Sequence, residues 1–431
     1  MRGLRNFLLL HRDQSGQVAV IVALLMVPLL AFMAVAIDLG VLRYEKRQMQ
    51  TVADAAAIGG ALEYPYGATA VTNGAQAAAL LNNSFTNGSN GATLTVTSPP
   101  ADGPHAGISG CVEAIASQSQ GTYFANILGI TSMTATARAV ACQTSSPACV
   151  YTLSGNPTGI SQTGSGSLNA QCGILDNSNI NNTGSGSITA TSVGVVSGYT
   201  NTGSGSISPT PQTIIPQSDP LLSLQSEEPT VPTGCTYTNL SNTGSTSVIL
   251  SPGTYCGGYS NTGSGNITFS PGNYAFTNGG ISNTGSGSMK FGSGLYIISG
   301  GTGLQLTGSG ALTGSGVTFY ITGTGGVDVT GSSNITLTAP TSGTYAGILI
   351  FQNQNDSAPV TVTGSSTSKI EGTLYLPDAS IQYTGSNSTA AYSIIVAKSI
   401  TITGSGTTNV TSNYAALPGG LSPIETAVLV E

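Results

Sequence analysis

The sequence predicts a mainly β protein, with an N-terminal transmembrane α-helix, a small α+β segment, and then a right-handed parallel β-helix of roughly 20-residue coils. Three observations predict it. A Thr-Gly-Ser core begins at Thr163, Thr183, Thr202, Thr243, Thr262, Thr284, Thr307, Thr330, Thr363, Thr384 and Thr403, with spacings of 20, 19, 41, 19, 22, 23, 23, 33, 21 and 19. Between these cores, β-branched and aromatic residues alternate with small polar ones, which is the pattern of half-buried strands rather than of helices. Residues 18–37, VAVIVALLMVPLLAFMAVAI, are 20 residues without a charge, enough to span a bilayer as a helix.

Each coil is too short for two helices and is best built from two or three short strands. In residues 247–255, 266–274 and 288–296 (SVILSPGTY, NITFSPGNY and SMKFGSGLY) the alternation gives a strand with one buried face. Ser-Pro-Gly then turns the corner, with proline supplying the fixed φ and glycine the positive φ of a type II turn. Leu250, Phe269 and Phe291 are expected to stack in one column, and Tyr255, Tyr274 and Tyr296 in another. Asn182, Asn201, Asn242, Asn261 and Asn283 are expected to form an amide ladder from coil to coil.

The composition agrees with a stacked solenoid: 59 of 431 residues are glycine and only 6% are charged. The net charge of -7 is uneven. Residues 150–431 hold three Lys, no Arg, no His and ten acids, so nucleic acid is not an expected partner of the large domain.

In chain order, residues 1–17 carry Arg2, Arg5 and Arg12 and are expected to be cytoplasmic. The span at 18–37 runs into charge at Asp38 instead of a small-residue cleavage site, which favours a retained anchor over a signal peptide. Pro28 is tolerable in mid-span. Basic residues flank the span on both sides, so charge does not set its orientation.

Residues 38–63 are rich in helix formers and should prolong the helix beyond the bilayer. Asp38-Leu-Gly40 followed by Arg47-Gln48-Met-Gln50-x-Val-Ala53-Asp54-Ala55-Ala56 resembles the N-terminal module of the TadE/TadG-like proteins of Tad (Flp) pilus assembly. The resemblance implies a membrane protein that contacts other pilus-assembly or envelope proteins through this helix. Prepilins of this type carry glutamate five residues after the cleavage glycine; here Ile21 follows Gly16 at that distance, so incorporation as a pilus subunit is not implied. Residues 107–141 are similar to the strand–helix–strand segment that often follows in the family. The expected strands are residues 93–97, 111–117 and 132–141, with a short helix at 123–128, in a small α+β domain at 64–145.

The β-helix is assigned to 146–416, and residues 417–431 form a tail that caps the last coil or folds back on it. At Thr202–Thr243 the spacing doubles, and six prolines crowd 209–232 around Glu227 and Glu228. Proline removes ladder donors, so this stretch is expected to be a loop ejected from the solenoid with an acidic tip.

Pectate-lyase-type enzymes share the β-helix architecture, but fold does not confer function. Their chemistry needs a base and cations, and the solenoid's acids have no Arg or His beside them, so no catalytic residue, metal or cofactor is assigned. Asp176-Asn-Ser-Asn and Gly325-Gly-Val-Asp328 superficially resemble metal loops; both are read as turns. The expected function is therefore that of a single-pass envelope protein with a non-catalytic spacer or adhesive β-helix. Surface glycans are a candidate ligand class, and a polysaccharide-binding or polysaccharide-degrading protein is the alternative.

All six cysteines follow the span, which points to an oxidising compartment on that side. Cys235 with Cys256 (spacing 21) and Cys149 with Cys172 (spacing 23) are each one coil apart, within disulfide reach. Cys111 with Cys142 remains, on two strands of the small domain. These pairings place the N-terminus in the cytoplasm of a bacterial inner membrane and everything after residue 38 in the periplasm or on the surface.

Overall fold

The computed structural model describes residues 15–431 except 65–66, 83, 146, 156–157, 332–333 and 387–389. Residues 1–14, with the three expected cytoplasmic arginines, lie outside the described residues. The chain divides into two compact units, residues 1–143 with 427–431, and residues 144–426.

In the first unit, helix α1 (Ser15–Leu62) runs through Pro28 and the whole Asp38–Ala56 motif without a break. Its C-terminal half packs on α2 (Ala68–Leu81), a helix the sequence reading did not resolve within the α+β segment. The two cross closely because both are glycine at the contact: a Cβ on Gly59 would lie 2.7 Å from the Gly74 carbonyl oxygen. Strands β1 (Ala92–Thr97), β2 (Cys111–Gly121) and β3 (Ser132–Ser145) pair antiparallel in order, and the C-terminal strand Glu425–Leu429 adds on β3. Alanines at 53, 56, 57 and 61 of α1 and at 114, 116, 137 and 139 of the sheet are buried together, allowing close helix-on-sheet packing.

The second unit is a parallel β-solenoid with three strands per coil. One coil reads Ile267–Phe269, Tyr274–Thr277, Ile281–Asn283, and each of its strands pairs in parallel with the equivalent strand of the next coil. Phe269 and Phe291 stack as expected, with ring centroids 4.9 Å apart, as do Tyr274 and Tyr296 at 5.0 Å. Gly253, Gly272 and Gly294 have φ of 151°, 139° and 151°, which is why glycine follows Ser-Pro or Gly-Ser there.

Two expected columns differ in detail. Tyr255 pairs with Phe276 and not with Tyr274, which faces Gly253. The strand after Leu250 begins two residues earlier than the one after Phe269, so the columns slip by two residues, a shift that keeps the same face inward. Tyr255, Tyr274 and Tyr296 nevertheless play one role, each donating its hydroxyl to the carbonyl four residues back at 2.6, 2.7 and 2.8 Å. The asparagines do stand in register, Asn182 on Asn201 and Asn242 on Asn261 on Asn283. Only Asn261 donates to the next coil's asparagine, at 2.8 Å. Asn182, Asn201, Asn242 and Asn283 instead donate to the carbonyl four residues ahead, closing their own Thr-Gly-Ser turn.

The coils do not stack in sequence order. The last coil lies directly against the first on all three faces, with Ile395 beside Val150, Ile400 beside Ile160 and Thr408 beside Leu168. From there the chain advances through the coils at 173–182 and 192–201 to one end of the stack at Gln212–Thr213. The next coil, Tyr237–Asn242 and Val248–Leu250, forms the opposite end, paired among the described residues only with the coil that follows it. The stack is thus circularly permuted, and its chain enters and leaves at adjacent middle coils.

Residues 214–236 must therefore travel back along the stack, which corrects the expectation of an ejected loop. Gln217 and Asn177 exchange hydrogen bonds at 2.7 Å, Tyr375 donates to Asp219 at 2.7 Å, Tyr345 donates to the Glu227 carbonyl, and Asn353 donates to the Glu228 carboxylate at 2.8 Å. Leu221 and Leu224 are buried in the solenoid's core cluster. The prolines keep this segment out of any ladder, so it lies across the coils as a strap instead of joining a sheet. Glu228 is consequently engaged rather than offered on a free tip.

The tail packs back on the solenoid only in its first part. Leu417 and Ile424 are buried against the solenoid, and residues 427–431 then join the first unit. In connectivity the solenoid is an insertion between β3 and the final strand of the α+β unit.

Candidate functional site

The family-like motif is spent largely on building the first unit. Asp38 is buried although α1 is largely exposed before it, and its carboxylate accepts the backbone N–H groups of Tyr123 (2.9 Å), Phe124 (3.1 Å) and Ala125 (2.6 Å). It thereby satisfies the orphan donors opening the 3-10 turn Ala125–Leu128. Gln50 donates to Asp54 at 2.7 Å and to the Arg138 carbonyl of β3 at 3.3 Å, fastening the helix to the sheet. Ala53 and Ala56 are fully buried and Ala55 is half-buried. Gln48 accompanies Tyr44 on the helix surface at 2.8 Å. Gly40 and Arg47 are exposed, and a Cβ on Gly40 would meet nothing within 4 Å. They form the outward face of the motif.

A charged cluster in this unit had no signal in sequence periodicity, because its members lie 25 and 293 residues apart. Arg138 of β3 bridges Glu113 of β2 and Glu431, and His105 Nδ1 approaches Glu431 at 3.0 Å. Burial pushes the Glu113 carboxyl up, but the Ala101 N–H, Arg138 and Thr97 together hold it below the ordinary glutamate value. Hydrogen bonds from Arg138 and His105 likewise lower Glu431. The cluster ties the last residues of the chain to the sheet.

The cysteines are joined as Cys111–Cys142, Cys149–Cys172 and Cys235–Cys256. Cys111 and Cys142 face each other across β2 and β3, and the other two pairs join neighbouring coils with Cα atoms 5.8 and 5.6 Å apart.

On the solenoid, Asp176 is buried and accepts the Ile160 and Ser178 N–H groups at 2.9 and 2.7 Å, so it closes a turn. Burial raises its carboxyl and that of Asp219, through which Tyr375 holds the strap against the coils. Asp328 lies in the strand Val327–Val329. Lys398 pairs with Asp378 and Lys369 with Glu371 at the surface. Among the described residues no three His, Cys, Asp or Glu side chains gather as metal ligands would. What the solenoid does present is its row of Thr-Gly-Ser turns, with Thr163, Thr183, Thr202, Thr243, Thr262 and Thr284 exposed.

Residues 16–63 match the family model described as putative Flp pilus-assembly TadE/G-like. The match covers α1 and the Asp38–Ala56 motif, and the solenoid lies outside it. No curated protein matches the chain, and no solved structure matches it.

Proposed function

We propose, from the TadE/G-like segment at residues 16–63, that this chain is a single-pass envelope protein serving Tad/Flp pilus assembly or the surface attachment that such pili support. One observation carries the reading: the matched segment is a continuous helix whose apolar half is exposed and whose motif half is built into a folded unit. The first half is long and apolar enough to cross a membrane, and the exposed Gly40–Arg47 face is where other envelope proteins would engage. The solenoid acts as a non-catalytic spacer or adhesive domain; Asp176 closes a turn, Asp219 and Glu228 fasten the strap, and Glu371 and Asp378 form ion pairs with lysines. Surface glycans are the ligand class best suited to its hydroxyl-lined turns.

Deleting the gene should reduce surface pili and attachment, restored by the full chain. Normal pilus number and biofilm in the deletion strain would refute the role. Turnover of a polyuronate by the pure protein, abolished by one Asp substitution, would replace it with the enzyme reading.

The three disulfides support an oxidising space beyond the span. We place the bulk of the chain in the periplasm or on the surface, with the N-terminus cytoplasmic and the anchor in the inner membrane. Thiol labelling of denatured, unreduced protein taken directly from its envelope should find all six cysteines blocked. Free thiols at Cys235 and Cys256 would reverse the topology.

A further inference from the structure

Asp38 is the first charged residue after the 20-residue apolar run, and α1 passes through it without interruption. A helix of that run is about 30 Å long, the thickness of the hydrocarbon layer, so Asp38 stands where the chain emerges from it. The three N–H groups bound to its carboxylate hold residues 123–125 at that same depth. The segment so held is unusually apolar for a surface loop. Tyr123, Phe124, Ile127 and Ile130 are 69%, 40%, 83% and 49% exposed, and Leu39 beside Asp38 is 47% exposed. No charged residue occurs between Glu113 and Arg138.

We propose that residues 123–130 are a second membrane contact, a loop that lies in the interfacial layer of the bilayer beside α1. The proposal rests on α1 spanning the bilayer and deepens that reading. Two features favour lipid as the occupant. The surface is continuous with the exposed apolar face of α1 itself, and clustered apolar exposure of this kind marks an interaction site. Six of the loop's eight backbone donors are also satisfied locally, as lipid contact favours: those of Tyr123, Phe124 and Ala125 by Asp38, Ile127 by Phe124 O at 3.0 Å, Gly129 by Asn126 O at 3.0 Å, and Ile130 by Ala125 O at 3.1 Å. Tyrosine and phenylalanine suit the depth where headgroups meet acyl chains. Arg43, Lys46 and Arg47 are exposed one to two and a half turns further along α1, within reach of anionic headgroups.

The chain contains no tryptophan, so Ile127→Trp introduces a sole indole at an exposed site. The disulfide-intact full chain would be reconstituted alone into phosphatidylcholine–phosphatidylglycerol vesicles, with Leu30→Trp reporting the span and Ile249→Trp, on a solenoid strand, reporting water. Emission from Ile127→Trp should be blue-shifted relative to Ile249→Trp and quenched by lipids brominated near the carbonyl end of their chains. Adding Asp38→Ala should lower that quenching, because the loop loses its tether. If Leu30→Trp is quenched and Ile127→Trp is not, the loop proposal fails while the anchor stands. A blue shift without bromolipid quenching would mean a protein neighbour and equally overturn it. An unquenched Leu30→Trp would overturn both.

Discussion

Gly263→Ala is expected to cost about 3 kcal/mol or more of solenoid stability, whereas Gly244→Ala, at the same position of the preceding Asn-Thr-Gly-Ser, is expected to be nearly neutral. A Cβ on Gly263 would fall on the carbonyl oxygen of Gly244 in the coil beneath, and backbone cannot rotate out of the way as a side chain can. The same collision recurs at Gly184 on Gly164, Gly203 on Gly184 and Gly285 on Gly263, which explains why the motif keeps its glycine. Gly244 lies in the end coil of the permuted stack, where the nearest atom to an added Cβ is 4.0 Å away. Urea unfolding of the two variants followed by circular dichroism reads the difference. If the coils stacked in sequence order, Gly244 would rest on the 203–205 turn and both variants would lose stability alike; equal losses would therefore overturn the permuted order.

Arg138→Ala should destabilise the α+β unit by about 3 kcal/mol, because it strands the buried Glu113 carboxylate and releases Glu431. The pH dependence has a defined sign. Glu113 is held below its ordinary value in the folded state, so its contribution is complete above the unfolded glutamate pKa of about 4.3. It is lost as pH falls through the lowered folded value, and Glu431 acts in the same direction. In Arg138→Ala this acid sensitivity should shrink, since a partner that lowers both carboxyls is gone. Unfolding midpoints measured from about pH 3 to pH 7 test it; identical pH profiles for the two proteins would show that the cluster contributes nothing to folding.

The apolar span, the stacked β coil, the Phe269–Phe291 stack and the two cysteine pairs of the solenoid are legible in the sequence because each is written within one helix, one coil or one coil-to-coil step, whereas Cys111–Cys142 follows only as the remaining pair. A run of 20 uncharged residues has one low-energy helical solution in lipid, and a period near one coil brings equivalent residues into contact whatever else the chain does. The order of the coils is not written that way. Every Thr-Gly-Ser coil offers its neighbours a similar edge, so the repeat alone does not distinguish a linear stack from one in which Thr408 lies on Leu168. Long-range contacts select the latter: Asn177 with Gln217, Tyr375 with Asp219 and Asn353 with Glu228 along the strap, together with the return of residues 427–431 to the first unit. Asp38 is the same case on a smaller scale. Its place in the motif could be read from the chain, but its role as the acceptor for residues 123–125 exists only once β2 and β3 bring that turn to the helix, 85 residues away.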